Sequence, residues 1–191
     1  MDKLTEQQII ERHYAHYLWL EKKGGKRAVF ENIFFQSNDL SKFDFRRAKF
    51  VDCRFLEVKM PSELSKAYFK DCRLSHAHFH SNLTKTKFVG GHCVASQFTD
   101  CALIDTDFTR LHILHCNFTD SSLQKCQLIV FHRGIWEAYI GPEYTAIGCQ
   151  FAPNEAWKKF TDETISTMSL SALDYWNENK KVIFMLMDSF K

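Results

Sequence analysis

The stretch from Phe35 to Leu128 repeats every five residues. Each unit has a large apolar residue at its centre and a small residue two places earlier, as in Ser96-Gln97-Phe98. Seventeen of the twenty centres are Phe or Leu, which is too regular for chance placement. The centres are Phe35, Leu40, Phe45, Phe50, Phe55, Met60, Leu64, Phe69, Leu74, Phe79, Leu83, Phe88, Cys93, Phe98, Leu103, Phe108, Ile113, Phe118, Leu123 and Leu128.

A period of five fits neither an α-helix nor a flat strand, whose periods are about 3.6 and 2 residues. It fits a backbone that turns a corner after each unit and sends one large and one small side chain inward. Short fixed periods are typical of solenoids, in which stacked coils bury one continuous core. The pattern therefore predicts a β-solenoid. Two single-residue phase slips, at 60–64 and 79–83, are interpreted as tightened corners within it.

Units such as Thr106-Asp107-Phe108 and Cys116-Asn117-Phe118 resemble the pentapeptide-repeat family. That family's pattern is a small residue, Asp or Asn, Leu or Phe, and two polar positions. The resemblance covers about half of the chain, although few units keep the Asp or Asn. It implies an all-β solenoid, a right-handed quadrilateral β-helix with four units per coil. Twenty units then make about five coils.

Segments of different character flank the repeats, and they divide the chain into three predicted parts. Residues 1–25 read as an N-terminal capping helix, with a capping box from Thr5 to Gln8 and a glycine stop at Gly24. Residues 26–130 form the β-helix. Residues 131–191 are predicted to form a β-hairpin, at 135–147, followed by helices. Because an open solenoid end exposes strand edges and core, both ends are expected to act as caps. The last helix is also a candidate homodimer surface.

Composition limits the cellular setting and the cofactors. No apolar run reaches the ~20 residues of a membrane span, and the start is too polar for a secretory signal. We therefore expect a cytoplasmic protein with no membrane partner. Six of the seven cysteines occupy inward repeat positions, where a free thiol behaves as a small hydrophobe. No cofactor and no metal site is expected.

Charge is distributed unevenly around the predicted coils, although the formal net charge is only +2. Wrapping four units per coil aligns positively charged residues next to the inward Phe column and around the following corner. We call these nine candidate binding residues the basic edge: Arg47, Lys49, Arg54, Lys66, Tyr68, Lys70, Arg73, Lys85 and Lys87. The opposite side is expected to carry Asp44, Glu63, Asp100 and Asp120. Stacked like charges repel and do nothing for the fold, which points to an anionic partner. A solvated surface with local pairs such as Asp52–Arg54 and Asp71–Arg73 is the interpretation that the sequence favours.

Candidate catalytic and metal-binding residues are few. His13 and His16 lie three residues apart on the first helix, His76, His78 and His80 alternate, and His92 and His112 share a column. Each group could bind a metal in principle, but no carboxylate or thiolate is placed to complete a site. Cys149 and His132 could form a catalytic pair only if the fold brought them together beside an oxyanion donor. Nothing in the sequence requires this, so the chain is not expected to be an enzyme.

Two functions remain for a rigid rod without catalytic motifs. The first is a protein-interaction scaffold that presents a preformed face to a partner protein. The chain resembles phage and proteobacterial pentapeptide-repeat proteins in the segments that frame the repeats, a helix ending at Gly24-Gly25 and the stretch from Ile147 to Trp157. That resemblance suggests an inhibitor or modulator of a host DNA-acting enzyme or defence complex. Some family members are anionic rods that imitate DNA and act on type II topoisomerases; the basic edge departs from that pattern. The alternative is binding of nucleic acid or another polyanion along the basic edge.

Overall fold

The computed structural model describes residues 1–190, which form four helices and fifteen strands. The helices are α1 Glu6–Leu20, α2 Asn154–Trp157, α3 Asp162–Ser166 and α4 Ala172–Asp188. The strands are β1 Val29–Glu31, β2 Phe34–Gln36, β3 Lys49–Val51, β4 Arg54–Leu56, β5 Tyr68–Lys70, β6 Arg73–Ser75, β7 His78–Phe79, β8 Lys87–Val89, β9 His92–Val94, β10 Gln97–Phe98, β11 His112–Leu114, β12 Ile129–Arg133, β13 Trp136–Ile140, β14 Tyr144–Ile147 and β15 Gln150–Pro153.

Strands β1 to β11 wind into a parallel solenoid with four sides, as the five-residue period predicts. Side 1 contains β1, β3, β5 and β8, and side 2 contains β2, β4, β6, β9 and β11. Side 3 contains β7 and β10, and side 4 is held by single bridges such as that between Asp44 and Glu63. Five parallel strands on side 2 correspond to the expected number of coils.

The two phase slips are tightened coils within a continuous solenoid. Phe50 pairs with Phe69 and Phe69 with Phe88, each nineteen residues apart, whereas Phe30 pairs with Phe50 twenty residues later. Parallel pairing continues across both slips, so the strands stay in register although the two coils that contain the slips are one residue shorter than the others. The interpretation of the slips as corners is confirmed.

A ladder of stacked Phe rings fills the core behind side 1. Phe50, Phe69 and Phe88 are fully or almost fully buried, and consecutive ring centroids lie 4.7 Å apart with planes within 14° of parallel. Phe108 continues the ladder at 5.2 Å from Phe88. The inward Phe column expected from the sequence is confirmed, and it begins one coil earlier than predicted, because Phe30 stacks on Phe50 at 5.0 Å.

The small inward residues join one coil to the next. The Thr86 hydroxyl donates to the carbonyl of Leu64 (2.6 Å), and that of Thr106 donates to the carbonyl of Leu83 (2.8 Å). The thiols of Cys53 and Cys72 do the same for carbonyls of the preceding coil, at 3.3 and 3.4 Å. These cysteines are free and buried, so they have the structural role expected from their positions.

Both ends of the solenoid are covered by other elements. At the N-terminal end, α1 begins with the predicted capping box, in which Thr5 and Gln8 bond reciprocally. At the C-terminal end, an antiparallel sheet packs Tyr139 and Ala146 into the solenoid core. This sheet has four strands in the order β12-β13-β14-β15, whereas the sequence analysis predicted only the central hairpin. Helices α2 to α4 then pack on the sheet around a second core that includes Trp157 and Trp176.

No helix in the described part of the chain is long and apolar enough to cross a lipid bilayer.

The Phe ladder leads to a stability prediction. Phe69→Ala should lower the free energy of unfolding by about 3–5 kcal/mol, because it removes a fully packed ring and leaves a cavity between two neighbouring rings. Lys70→Ala, an exposed change on the same strand, should alter it by no more than about 0.5 kcal/mol. Equilibrium unfolding in urea, followed by circular dichroism, measures both. Equal losses for the two variants would contradict the assignment of stability to the ladder.

Candidate functional site

The structure places the basic edge on the corner that leads into side 1, on side 1 itself and on side 2. Arg47, Lys66 and Lys85 occupy the corner that leads into side 1, with backbone φ of 65°, 58° and 59°. Each donates its backbone N–H to the next coil at 2.9 Å, so the corners stack directly. On side 1, Lys49, Tyr68 and Lys87 are in register, and Lys70 follows Tyr68 on β5 with one buried Phe between them.

Two further basic residues lie around the next corner, on side 2. Arg54 pairs with Arg73, Arg73 with His92 and His92 with His112. The corner between this column and Lys70 is formed by Asp52 and Asp71 at positive φ. The basic edge therefore consists of two basic columns and a neighbouring pair of arginines. The carboxylates of Asp52 and Asp71 lie at the corner between the columns and the arginines.

The basic side chains of the edge are not neutralised by the protein. Within residues 1–190, no carboxylate lies within 4.0 Å of any of these eight side chains, whereas basic residues elsewhere, such as Arg46 and Lys59, form ion pairs. The expected local pair between Asp52 and Arg54 does not form, nor does the one between Asp71 and Arg73. These side chains remain exposed, apart from the half-buried Tyr68.

Trp19 connects the N-terminal cap to this edge. The guanidinium of Arg47 lies over its ring, 4.9 Å from the ring centroid, and that of Arg27 lies 5.9 Å away. Sequence reasoning missed this contact, because nothing in the periodic pattern places the non-repetitive helix α1 against a particular corner. The contact orients one end of the basic edge.

The edge ends within the solenoid. At the next coil, Asp105 occupies the corner position that follows Lys85, with φ of 56°, and Asp107 pairs with Lys87. The positive columns therefore extend over three coils, or about 10 Å at the ~4.8 Å spacing of neighbouring strands. The sequence contained this signal, since Asp105 lies twenty residues after Lys85.

The prediction that Asp44 and Glu63 lie on the side opposite the basic edge is wrong. Asp44 and Glu63 pair on side 4, which runs directly into the basic corner three residues later. Asp100 and Asp120 lie at a different corner, and Asp100 approaches His80 there at 4.0 Å. Because each side is only five residues long, Asp44 and Arg47 must be neighbours. Acidic residues therefore adjoin the basic edge on this side of the molecule.

The coil geometry decides the fold. Four sides of five-residue units stack in parallel with a Phe ladder inside. The chain has the pentapeptide-repeat β-helix fold. No protein-family model and no curated protein sequence matches the chain. Solved structures that match it include pentapeptide repeat proteins.

Three of these structures illustrate how distant the likeness is. QnrB1, a plasmid-mediated fluoroquinolone resistance protein, is 22% identical over 53% of this chain and 55% of its own, with a TM-score of 0.41. A pentapeptide repeat protein from the cyanobacterium Cyanothece is 11% identical over 59% of this chain and 96% of its own, with a TM-score of 0.24. HetL, a pentapeptide repeat protein involved in heterocyst differentiation regulation in Nostoc, is 13% identical over 53% of each chain, with a TM-score of 0.20.

The chain spans about half the length of QnrB1. At such low TM-scores these likenesses carry nothing about function, and the fold rests on the chain's own strand register.

The histidines outside α1 do not converge on a common site in the described residues. His76, His78 and His80 are exposed, and His78 contacts Gln97 at 3.3 Å. The His92 and His112 rings lie 5.4 Å apart, and burial lowers the pKa of His112. Among residues 1–190, no group of three His, Cys, Asp or Glu side chains is arranged to hold a metal ion.

The candidate catalytic pair is not assembled. Cys149 lies exposed in the turn between β14 and β15, where Gln150 donates to its sulfur at 3.6 Å. His132 lies on β12 and contacts the carboxylate of Glu137 at 3.2 Å. No hydrogen bond joins Cys149 to His132 in the described part of the chain, so this geometry does not create an activated nucleophile.

The two histidines of α1 cap the first coil. Buried His16 accepts the backbone N–H of Ala28 at Nδ1 (3.0 Å), and its Nε2 therefore donates to the carbonyl of Arg46 (3.0 Å). His13 accepts the N–H of Asp44 at Nε2 (3.2 Å). These imidazoles satisfy backbone groups at the solenoid end, so they are structural and do not form the metal pair considered above.

His16 makes the N-terminal cap sensitive to pH. Burial lowers the pKa of His16 below its usual value of 6.5, so the unfolded chain takes up this proton at a higher pH than the folded chain. The stabilising contribution is therefore complete above about pH 6.5 and decreases as the pH falls further. His16→Gln should reduce the loss of unfolding free energy between pH 7 and pH 5.

Urea unfolding at a series of pH values measures this slope for the two proteins. His76→Gln, which removes an exposed imidazole, is the matched control and should retain the wild-type slope. If His16→Gln also retains the wild-type slope, proton uptake by His16 does not drive the loss.

Proposed function

We propose that this chain is a non-enzymatic protein-interaction scaffold that binds an acidic surface of a partner protein through its basic edge. One observation carries the proposal: the eight basic side chains of the edge are exposed and have no carboxylate within 4.0 Å in the described residues.

The fold holds these side chains in a preformed arrangement. Lys49, Tyr68 and Lys87 project from paired strands whose alternate residues, Phe50, Phe69 and Phe88, are locked in the stacked ladder. Binding therefore orders side chains but little backbone, which reduces the entropic cost of association. Stacked like charges also repel one another, and an anionic surface relieves that repulsion.

The extent of the edge favours a protein over a nucleic acid. The positive columns cover about 10 Å and end at Asp105 and Asp107. Duplex DNA presents one negative charge per ~1.7 Å over its whole length, and it would pass the carboxylates of the next coil. A compact acidic patch avoids them. Tyr68 lies between Lys49 and Lys87, and Tyr is among the residues enriched in protein interfaces.

Two finer roles belong to the same proposal. Inhibition or modulation of a DNA-acting enzyme or a defence complex, in a phage-derived setting, is one form that scaffold binding can take. Homodimerisation through α4 is the other, but most of the large apolar side chains of α4 already pack inside the protein, leaving Met185 exposed. The basic edge therefore remains the favoured surface.

Charge reversal on the edge tests the proposal. Lys66→Glu combined with Lys85→Glu should abolish capture of a partner protein from nuclease-treated extract of the native host, because it turns attraction into repulsion at two stacked corners. The control is Lys159→Glu combined with Lys181→Glu, which makes the same charge change at exposed positions outside the edge and should retain the partner. Quantitative mass spectrometry of the captured proteins gives the readout.

A mobility-shift assay with a 30-base-pair DNA duplex distinguishes the proposed protein binding from the alternative, which is binding of nucleic acid along the basic edge. The proposal expects no shift at about 150 mM salt for any of the three proteins. A shift that is lost on reversing Lys66 and Lys85, and that weakens steeply with salt, would replace the protein partner with a polyanion. Equal capture by wild type and both variants would exclude any role for the basic edge.

A further inference from the structure

The C-terminal part of the chain contains a cavity of about 260 Å³. It lies between β13, the β14–β15 turn and helices α2 to α4, away from the basic edge. We call it the C-terminal cavity. Its wall includes Trp136, Trp157, Met168, Ala172, Tyr175 and Trp176.

Aromatic rings dominate the wall. Trp136 and Tyr175 meet edge to face at 5.3 Å, and the Trp157 and Trp176 rings lie 5.6 Å apart. Trp157, Tyr175 and Trp176 are each at least 95% buried. No charged side chain lines this cavity among the described residues. The wall can therefore supply ring contacts and apolar area but cannot compensate a charge.

One polar group of the wall has no partner. The indole N–H of Trp157 donates to the carbonyl of Thr145 at 2.9 Å, so it is satisfied. The hydroxyl of Tyr175 is buried and makes no hydrogen bond within residues 1–190, and burial raises the pKa of Tyr175 to about 12. A buried hydroxyl without a partner is costly, and such exceptions occur at functional sites.

We propose that the C-terminal cavity binds a small, uncharged, planar aromatic molecule of one or two fused rings. The volume of the cavity limits the ligand to one or two fused rings, because an apolar cavity of about 150 Å³ already accommodates benzene. Ring geometry sets the shape, since aromatic pairs favour offset-stacked and edge-to-face contacts with a planar partner. Charged ligands are excluded, because the wall would leave their charge unpaired.

The cavity opens to solvent beside the β14–β15 turn. Cys149 and Ser169, which line it, are exposed, whereas most of the aromatic wall is buried. A ligand can therefore enter without unfolding of the helices. The binding step does not involve the basic edge, so its outcome is independent of the partner proposed above.

Calorimetric titration of the full chain with indole tests this site. Wild type should bind indole with a dissociation constant on the order of 0.1–1 mM, as expected for so small a ligand. Indole should also raise the midpoint of thermal unfolding, because it binds the folded state. Ala172→Phe, which fills the cavity from α4, should abolish both effects.

Two further variants keep the result interpretable. Asn177→Phe adds the same ring to an exposed position of α4 that does not line the cavity, and it should bind indole as wild type does. Ser169→Phe narrows the exposed opening and should weaken binding at least tenfold, even if Ala172→Phe fails to fold. The proposal is overturned if wild type shows no heat of binding up to a few millimolar indole, or if folded Ala172→Phe and Ser169→Phe bind as tightly as wild type.

Discussion

Parallel hydrogen bonding between coils, held in register by stacked Phe rings, is the constraint on which the rest of this structure depends. A coil of only three-residue strands has little stability by itself, so each coil needs its neighbours. The ladder from Phe30 through Phe108 aligns successive coils even where one residue is missing. Every surface column, including the basic edge, inherits its spacing from that alignment.

The alignment also explains why so few of the surface charges are paired. A side chain on a parallel strand has as its nearest neighbours the residues at the same position of the adjacent coils. Lys66 therefore lies next to Arg47 and Lys85, and opposite charges must come from another side or from a cap. Arg47 finds an aromatic partner in Trp19 of the cap, whereas Lys66 and Lys85 have no carboxylate nearby in the described chain.

The periodic part of the fold was predictable from the sequence, because one geometric rule places every repeat residue relative to the next coil. The same rule located the basic columns and the Phe ladder. Ala28 and Phe30 obey the same small-then-large rule, and Asp105 follows Lys85 in its column. The predicted repeats and basic columns therefore differ from the structure only in where they begin and end.

Features outside the repeat could not be predicted in this way. The two outer strands of the C-terminal sheet, the burial of His16 and the aromatic cavity all depend on tertiary packing of segments without a period. The misplaced acidic residues have a different origin. Asp44 was assigned to the opposite side, although sides of five residues make it a neighbour of Arg47.

Inward and outward residues alternate along each strand, and the two sets are under different evolutionary constraints. Inward positions contact their counterparts nineteen or twenty residues away, so a change at Phe69 affects two other coils at once. Outward positions such as Lys70 are exposed and are not packed against the core in this way. New recognition surfaces can therefore evolve on the same rod by point mutation, one column at a time, while the interior stays unaltered.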